Sequence, residues 1–517
     1  MRLTDLLKGV STKEVKCDLD SDITGLSYDS RRVEKGHLFV AMRGSELDGH
    51  AFIEKALEKG AQAVIFDSGR LESGIPAVRV EDSREALGIL SENFYERPFE
   101  GMNLIGITGT NGKTTTSYLL ESIMFEAGKT PAVMGTVNYR LPGKTFDAPM
   151  TTPESLEIMK MLRRMKDSGV SDVVMEVSSH ALAQGRVKRC PFRAALFTNL
   201  SRDHLDYHGT MENYFEAKGR LFRELQKEVS GQATWAVING DDPRAGALAG
   251  ITDASVFTYG FGSECDLRAE DIRLSKKGII VNMLTADEKR EIRSPLIGRF
   301  NVSNILAAAA VSLCLGISMD AIEKGVAGLK GVPGRLEPVE NDRSLTILVD
   351  YAHTPDALKK ALDAVAPLNE GRLISVVGCG GDRDSGKRMP MGMAAGEKSH
   401  LVFITSDNPR TEDPMTIASQ VEEGVRASGK KRLSPPLDPD GKEAGYVLEL
   451  DRKRAIELAV RSASQKDLIL IAGKGHEDYQ IIGRRKRHFD DREVAKAAAS
   501  VRSDLECESA TDRPGVA

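Results

Sequence analysis

Hydrophobic residues along this chain fall into short runs, and polar or glycine-rich segments follow almost every run. Leu104-Ile105-Gly106-Ile107, Asp172-Val173-Val174-Met175-Glu176-Val177 and Ala194-Ala195-Leu196-Phe197 are too short for helices and rich in β-formers. Such runs fit strands buried on both faces of a parallel sheet. Leu345–Asp350, Arg372–Val377, His400–Thr405 and Asp467–Ala472 repeat the pattern nearer the C-terminus. Helical spacing appears between them, as in Ser117-Tyr118-Leu119-Leu120-Glu121-Ser122-Ile123-Met124, Tyr214–Phe222 and the alanine-rich segment Ile305–Leu315. Near the N-terminus, His37–Met42, Ala63–Phe66 and Ala77–Val80 read as strands, with a helix over Ala51–Leu57.

Alternating strands and helices predict an α/β protein. With 517 residues, about three domains of ~150–200 residues are expected. The breaks fall at Glu96-Arg97-Pro98 and Val332-Pro333-Gly334-Arg335. The expected units are a small α/β domain over 1–100, a mostly parallel phosphate-loop sheet over 101–335, and a doubly wound Rossmann-like domain over 336–500. Residues 428–445 read as a surface loop and 501–517 as a disordered tail.

Composition narrows the function classes. A net charge of −5 gives no basic footprint for nucleic acid. No apolar run reaches the ~18–20 residues needed to span a bilayer, and the N-terminus has no signal-peptide core. The six cysteines (17, 190, 265, 314, 379, 507) include no C-x-x-C pair, so neither a zinc site nor a disulfide framework is expected. Cytoplasm is the expected compartment, and a monomer the expected assembly.

The strongest chemical signal is Gly109-Thr110-Asn111-Gly112-Lys113-Thr114-Thr115, set between a strand and a helix. Glycines let backbone N–H groups approach phosphates, the helix start supplies positive potential, and a lysine spans the outer phosphates. Thr114 would offer its hydroxyl to Mg²⁺. The loop is a shortened variant, because Ile107 stands where the generic pattern has its first glycine. In an open parallel sheet, ligands collect at the carboxyl ends of the strands. Glu176 and Ser178 end one such strand and His204 follows another, and Glu176 and His204 should lie near the triphosphate. Asp203-His204-Leu205-Asp206-Tyr207-His208 has no partner at zinc-ligand spacing, so an Mg²⁺ environment of oxygens with one imidazole is preferred. Lys218 shares an apolar helix face with Tyr214, Phe215, Leu221 and Phe222. Two readings stay open: a lysine that snorkels to solvent, or one neutralised as a CO₂-derived carbamate. The polar cluster Tyr28–Arg32 is either a solvated loop or a seat for a charged ligand. At the C-terminal strand ends, Arg383, Arg410, Lys474, His476 and Glu477 should form a rim of both charge signs, suited to a zwitterion.

These motifs, taken in order, resemble the Mur ligases, ATP-dependent enzymes that build the peptide stem of bacterial cell-wall precursor. The resemblance rests on Asp29-Ser30-Arg31, the phosphate loop, Thr151-Thr152-Pro153, Met175–His180, Asp203–Gly209, Ala217-Lys218, Asn301–Asn304, Gly334-Arg335, Asp350–Pro355, Gly378–Asp384, Asp407–Arg410 and Gly473–Glu477. It covers the chain to about residue 495. One departure is Met389 between Arg388 and Pro390, where the family usually has none.

The resemblance implies amide-bond formation through an acyl-phosphate, adding meso-diaminopimelate to UDP-N-acetylmuramoyl-L-alanyl-D-glutamate in peptidoglycan synthesis. Implied contacts to the UDP-substrate are Ser30, Thr151, Thr152, Ser178, Gln184 and Arg186. For ATP they are the loop residues Gly109 to Thr115 with Asn304, Arg335, Asp350 and His353. For the amino acid they are Arg383, Asp407, Asn408, Pro409, Arg410, Gly473 and Glu477. Lys113, Glu176, His204 and Lys218 are the implied catalytic set. Thr114, Glu176, His204 and carbamylated Lys218 would hold two Mg²⁺ ions. Rival readings are a lysine-adding or folylpolyglutamate-type ligase of the same superfamily, and a phosphate-loop ATPase switch that makes no bond.

Overall fold

The computed structural model describes residues 1–44, 47–71, 73–439 and 441–500. The expected disordered tail lies outside the described residues. Three sheets carry the chain. The first has five strands in the order Thr12–Lys16, Ala77–Val80, Ala63–Phe66, His37–Val40, Gly25–Ser27. Only the Thr12–Lys16 edge strand runs antiparallel. That strand is exposed at every position, so it carries no alternation that a sequence reading could detect.

The second sheet has eleven strands. Its parallel core places the phosphate-loop strand, Asn103–Thr108, between Phe192–Phe197 and Asp172–Glu176, with Pro131–Met134 beyond the latter. Antiparallel hairpins extend both edges. Helices Lys113–Glu126, Phe300–Cys314 and Met319–Gly328 pack their apolar faces on one side. Ser155–Asp167 and Met211–Arg223 cover the other. The alanine-rich helix begins earlier than expected, at Phe300, so Asn301 and Asn304 lie in its first turns rather than in a preceding loop.

The third sheet has six strands, all parallel except the short edge Glu337–Pro338. Leu468–Ala472 sits centrally, between Thr346–Asp350 and Leu373–Val377. Apolar layers fill both faces of this sheet. The carboxyl ends of its strands carry the segments singled out above. The span before Gly445–Leu448 includes one bridge, Arg432 to Tyr446. No helix among the described residues is long and apolar enough to cross a membrane.

Candidate active site

The phosphate loop is shaped by its neighbours. A Cβ at Gly109 would collide with the Thr198 hydroxyl, and one at Gly112 with Asn304 Oδ1; both glycines have positive φ. Thr110 N–H donates to Asn199 O at 2.8 Å, and Asn111 N–H to Asn199 Oδ1 at 3.0 Å. Thr198 Oγ1 donates to Asn111 O at 2.6 Å. The end of the adjacent strand therefore braces the loop from below. Lys113 Nζ folds onto the loop carbonyls of Gly109 (2.8 Å) and Thr110 (2.9 Å). Burial pushes its pKa down, so an arriving polyphosphate would restore a counter-charge the ammonium lacks.

Glu176, 1% exposed, is the centre of an oxygen cluster. Its Oε2 accepts from Thr114 Oγ1 at 3.0 Å and from Thr136 Oγ1 at 2.8 Å, while Thr136 N–H donates to Oε1 at 3.1 Å. These are hard oxygen donors of the kind Mg²⁺ takes. Thr136 escaped the sequence reading. Its only signal was a position just past the four-residue strand Pro131–Met134.

Lys218 does not snorkel. It is 1% exposed, its Nζ donates to Gly109 O at 2.9 Å, and it lies 4.4 Å from the centre of the Tyr214 ring. Two amines, Lys113 and Lys218, thus converge on one carbonyl. Burial first, and then the Lys113 charge, hold the Lys218 pKa well below the ordinary lysine value. His204 caps the helix Leu205–His208 in a left-handed conformation, with its ring 4.9 Å from that of His180. Burial, with smaller contributions from His180 and the two lysines, pushes its pKa to about 4. Asp203 opposes that shift. A neutral imidazole of this kind can ligate a metal.

Thr151, Thr152, Ser178, Gln184 and Arg186 come together beside Glu176. Thr151 and Thr136 hydroxyls are 3.1 Å apart. Thr152 Oγ1 donates to the Glu176 carbonyl at 2.8 Å and accepts from Ser178 N–H at 3.0 Å. Arg186 donates to Thr152 O at 2.8 Å and to Gln184 Oε1 at 2.7 Å. Arg186 also pairs with Glu154, and Glu154 with Arg84 of the first sheet's layer. Arg84 and Glu154, absent from the sequence reading, tie the first unit to the second. Ser30, buried, opens a turn capped by Asp29. In the same turn Arg32 reaches to 3.7 Å from Glu157, which turns the Tyr28–Arg32 cluster toward the central unit.

The third unit reaches the phosphate loop. Arg335 Nη2 donates to Thr114 Oγ1 at 3.3 Å while its guanidinium lies 4.7 Å from the centre of the Tyr351 ring. Asn111 Nδ2 donates to Asp356 Oδ2 at 3.4 Å; Asp356 was not anticipated. Asp350 accepts from Leu336 N–H (2.7 Å) and Ala352 N–H (2.9 Å), and burial raises its pKa. His353 Nδ1 bonds the Tyr351 carbonyl at 2.8 Å. Asn304 donates to Asn301 Oδ1 at 2.8 Å behind the loop.

Asp407 and Asn408 are buried with Glu477 half-buried beside them, and Asn408 Nδ2 donates to Glu477 Oε2 at 2.9 Å. Pro409 is buried and Arg410 half-buried. Arg410 Nη1 donates to Gly381 O at 2.8 Å, and its backbone pairs with Ile482. Arg383 is exposed and donates to Asp382 O. Gly473, at φ +116, packs against Asp407. The expected rim is corrected in one respect: Lys474 is wholly buried beneath it rather than on it.

Family models match most of the chain. They are the Mur ligase family catalytic domain over 22–95, the Mur ligase middle domain over 107–312, and the Mur ligase glutamate ligase domain over 334–475. The chain is 48% identical over 501 residues to a UDP-N-acetylmuramoyl-L-alanyl-D-glutamate–2,6-diaminopimelate ligase of Geobacter metallireducens, covering 96% of this chain and 98% of the relative. The enzyme of the same name from Geobacter sulfurreducens matches at 48% with the same coverage. A solved structure of a ligase of that name superposes with a TM-score of 0.68 at 33% identity, covering 97% of this chain and 99% of the other.

Proposed function

The chain belongs to the Mur ligase family, and from that membership we propose that it joins meso-diaminopimelate to UDP-N-acetylmuramoyl-L-alanyl-D-glutamate. ATP is split to ADP and phosphate in this step of peptidoglycan precursor synthesis. The observation that carries the reading is the convergence of three sets of groups. The phosphate loop, the Glu176–Thr136–Thr152 cluster and the third sheet's strand ends meet through Arg335 and Asp356. A switch ATPase that makes no bond has no use for the Asp407–Asn408–Glu477 group.

Residues 1–100 take the UDP end, with Ser30 as a contact. Thr151, Thr152, Ser178, Gln184 and Arg186 hold the muramoyl dipeptide. Residues 101–335 bind ATP through Gly109 to Thr115 and Asn304; Arg335, Asp350 and His353 complete that site, and residues 336–500 bring the amino acid. Thr114 and Glu176, with Thr136 beside them, suit one Mg²⁺. His204 and a Lys218 carbamate suit a second. When bound, such ions neutralise phosphate charge. Lys218 is suited to carrying a carbamate because burial and the Lys113 charge disfavour its ammonium form. The nitrogen lone pair adds to the carbon of CO₂, and the N–H proton passes to solvent.

The chemistry follows from charge. The substrate carboxylate must approach a γ-phosphate that is also anionic, and the Lys113 ammonium offsets that repulsion. The carboxylate oxygen bonds to phosphorus, ADP departs, and an acyl-phosphate remains. The amine of the amino acid then adds to the acyl carbon, loses a proton and expels phosphate. Water would destroy the acyl-phosphate, so the Asp356 contact, which draws the third unit onto the loop, and the Arg335 contact at its junction serve to exclude it. The enzyme works in the cytoplasm as a monomer.

Arg410 tests the choice of amino acid. meso-Diaminopimelate carries a second carboxylate that lysine lacks, and a guanidinium can grip it with two parallel bonds. Loss of a charged pair at a half-buried site costs about 2–3 kcal/mol, or roughly 30–150-fold. Arg410→Ala should raise KM for diaminopimelate by that factor while leaving KM for ATP and the UDP-substrate nearly unchanged. Equal use of lysine and diaminopimelate by the wild type would refute the assignment.

A further inference from the structure

Lys474 lies in the loop after the Leu468–Ala472 strand, in the sequence Gly-Lys-Gly-His. Its exposure is 0%. The ammonium sits 3.2 Å from Glu477 Oε2, 3.3 Å from Asn408 Oδ1 and 3.5 Å from Asp407 Oδ1, with the Tyr479 ring centre 5.4 Å away. The strands that carry these groups are not neighbours, because Leu373–Val377 runs between them. Their loops meet over its end at Gly378, where a Cβ would press on Asp407 N at 3.1 Å. Hydrogen bonds from the following hairpin complete the enclosure: Gln480 Nε2 to Asp407 O at 2.7 Å and Ile481 N–H to Asn408 Oδ1 at 2.9 Å.

One buried ammonium faces two carboxylates, so the group carries one negative charge in excess. An excess charge at a largely buried site is costly, and a second cation would relieve it. The cationic Arg410 and Arg383 belong to the same strand-end region but donate to the carbonyls of Gly381 and Asp382. A ligand that brings an ammonium to the acidic group and a carboxylate to the guanidiniums matches both halves.

We infer that Lys474 is a positioning residue for the amino-acid substrate. It holds Asp407 and Glu477 by one oxygen each and leaves their remaining oxygens to receive the substrate ammonium. This rests on the reading of the pocket given above. Without Lys474 the two carboxylates repel each other, and the pocket loses the arrangement that receives the ammonium.

The test uses the full-length enzyme with Lys474→Met, and Lys474→Gln as a second variant that keeps a donor but no charge. Melting temperature and KM for each of the three substrates are measured. KM for diaminopimelate should rise by about 10²-fold, with KM for ATP and the UDP-substrate within about twofold of wild type. Propylammonium, which matches the excised side chain, should restore a measurable part of the diaminopimelate affinity to Lys474→Ala. A folded variant whose KM for diaminopimelate stays within about threefold of wild type overturns the inference. Equal rises in all three KM values also overturn it, because they mark a merely structural role. A wild-type enzyme that never ligates diaminopimelate contradicts the proposed function instead, and the two failures are thereby told apart.

Discussion

Lys218→Ala will be inactive in ligation, and short-chain carboxylic acids will return part of the activity. The expectation rests on where the amine sits. A lysine that is 1% exposed, bonded to a carbonyl that also receives Lys113, cannot comfortably hold a proton. Its pKa is driven down first by burial and then by the neighbouring ammonium. The sign matters. A lowered pKa raises the share of free amine at any given pH, which favours carbamate formation. The product is an anion that would face the neighbouring Lys113 ammonium. Removing the side chain removes that anion and opens a gap that a small carboxylate can enter. Carbon NMR of enzyme equilibrated with isotope-labelled bicarbonate should show a carbamate signal that Lys218→Ala lacks. A signal-free wild-type spectrum in active enzyme would refute the modification.

Lys113→Ala will lower turnover by about 10²-fold or more with little change in melting temperature. In this structure the ammonium contacts two carbonyls of its own loop. The loop is also held by the Asn199 contacts, by Thr198 and by the Tyr214 hydroxyl, 3.2 Å from Thr110 Oγ1. Those contacts survive the substitution, and loss of a half-buried, partly desolvated ammonium offsets loss of its two bonds. The rate falls because nothing else in the loop carries a positive charge to the outer phosphates. ATP turnover and thermal melting, measured together, check this. Near-normal turnover would move the ATP site away from this loop.

What the sequence revealed was local. A glycine loop between an apolar run and a helix is legible because its chemistry and both flanks lie within about twenty residues. Glu176 and Ser178 were legible because polar residues that end a buried strand lie on the ligand edge of a parallel sheet. The helical face of Lys218 was visible, but its burial was not, since the Gly109 carbonyl that receives it is 109 residues away. Thr136 was missed for the same reason: only the pairing of Pro131–Met134 with Asp172–Glu176 brings it to Glu176. Asp356 and Arg84 act between units, and no periodicity reports a contact of that kind. Lys474 was misplaced on the rim because the loops and hairpin that bury it come from separate parts of the third unit.

The central claim is bond formation driven by ATP, and its most direct test is ADP release from purified enzyme with each substrate omitted in turn. The account predicts ADP release only when the UDP-muramoyl dipeptide, diaminopimelate and ATP are all present, with one ligated tripeptide product formed per ADP by mass spectrometry. Sustained ADP release without diaminopimelate, or without the UDP-substrate, and with no new amide product, would contradict it.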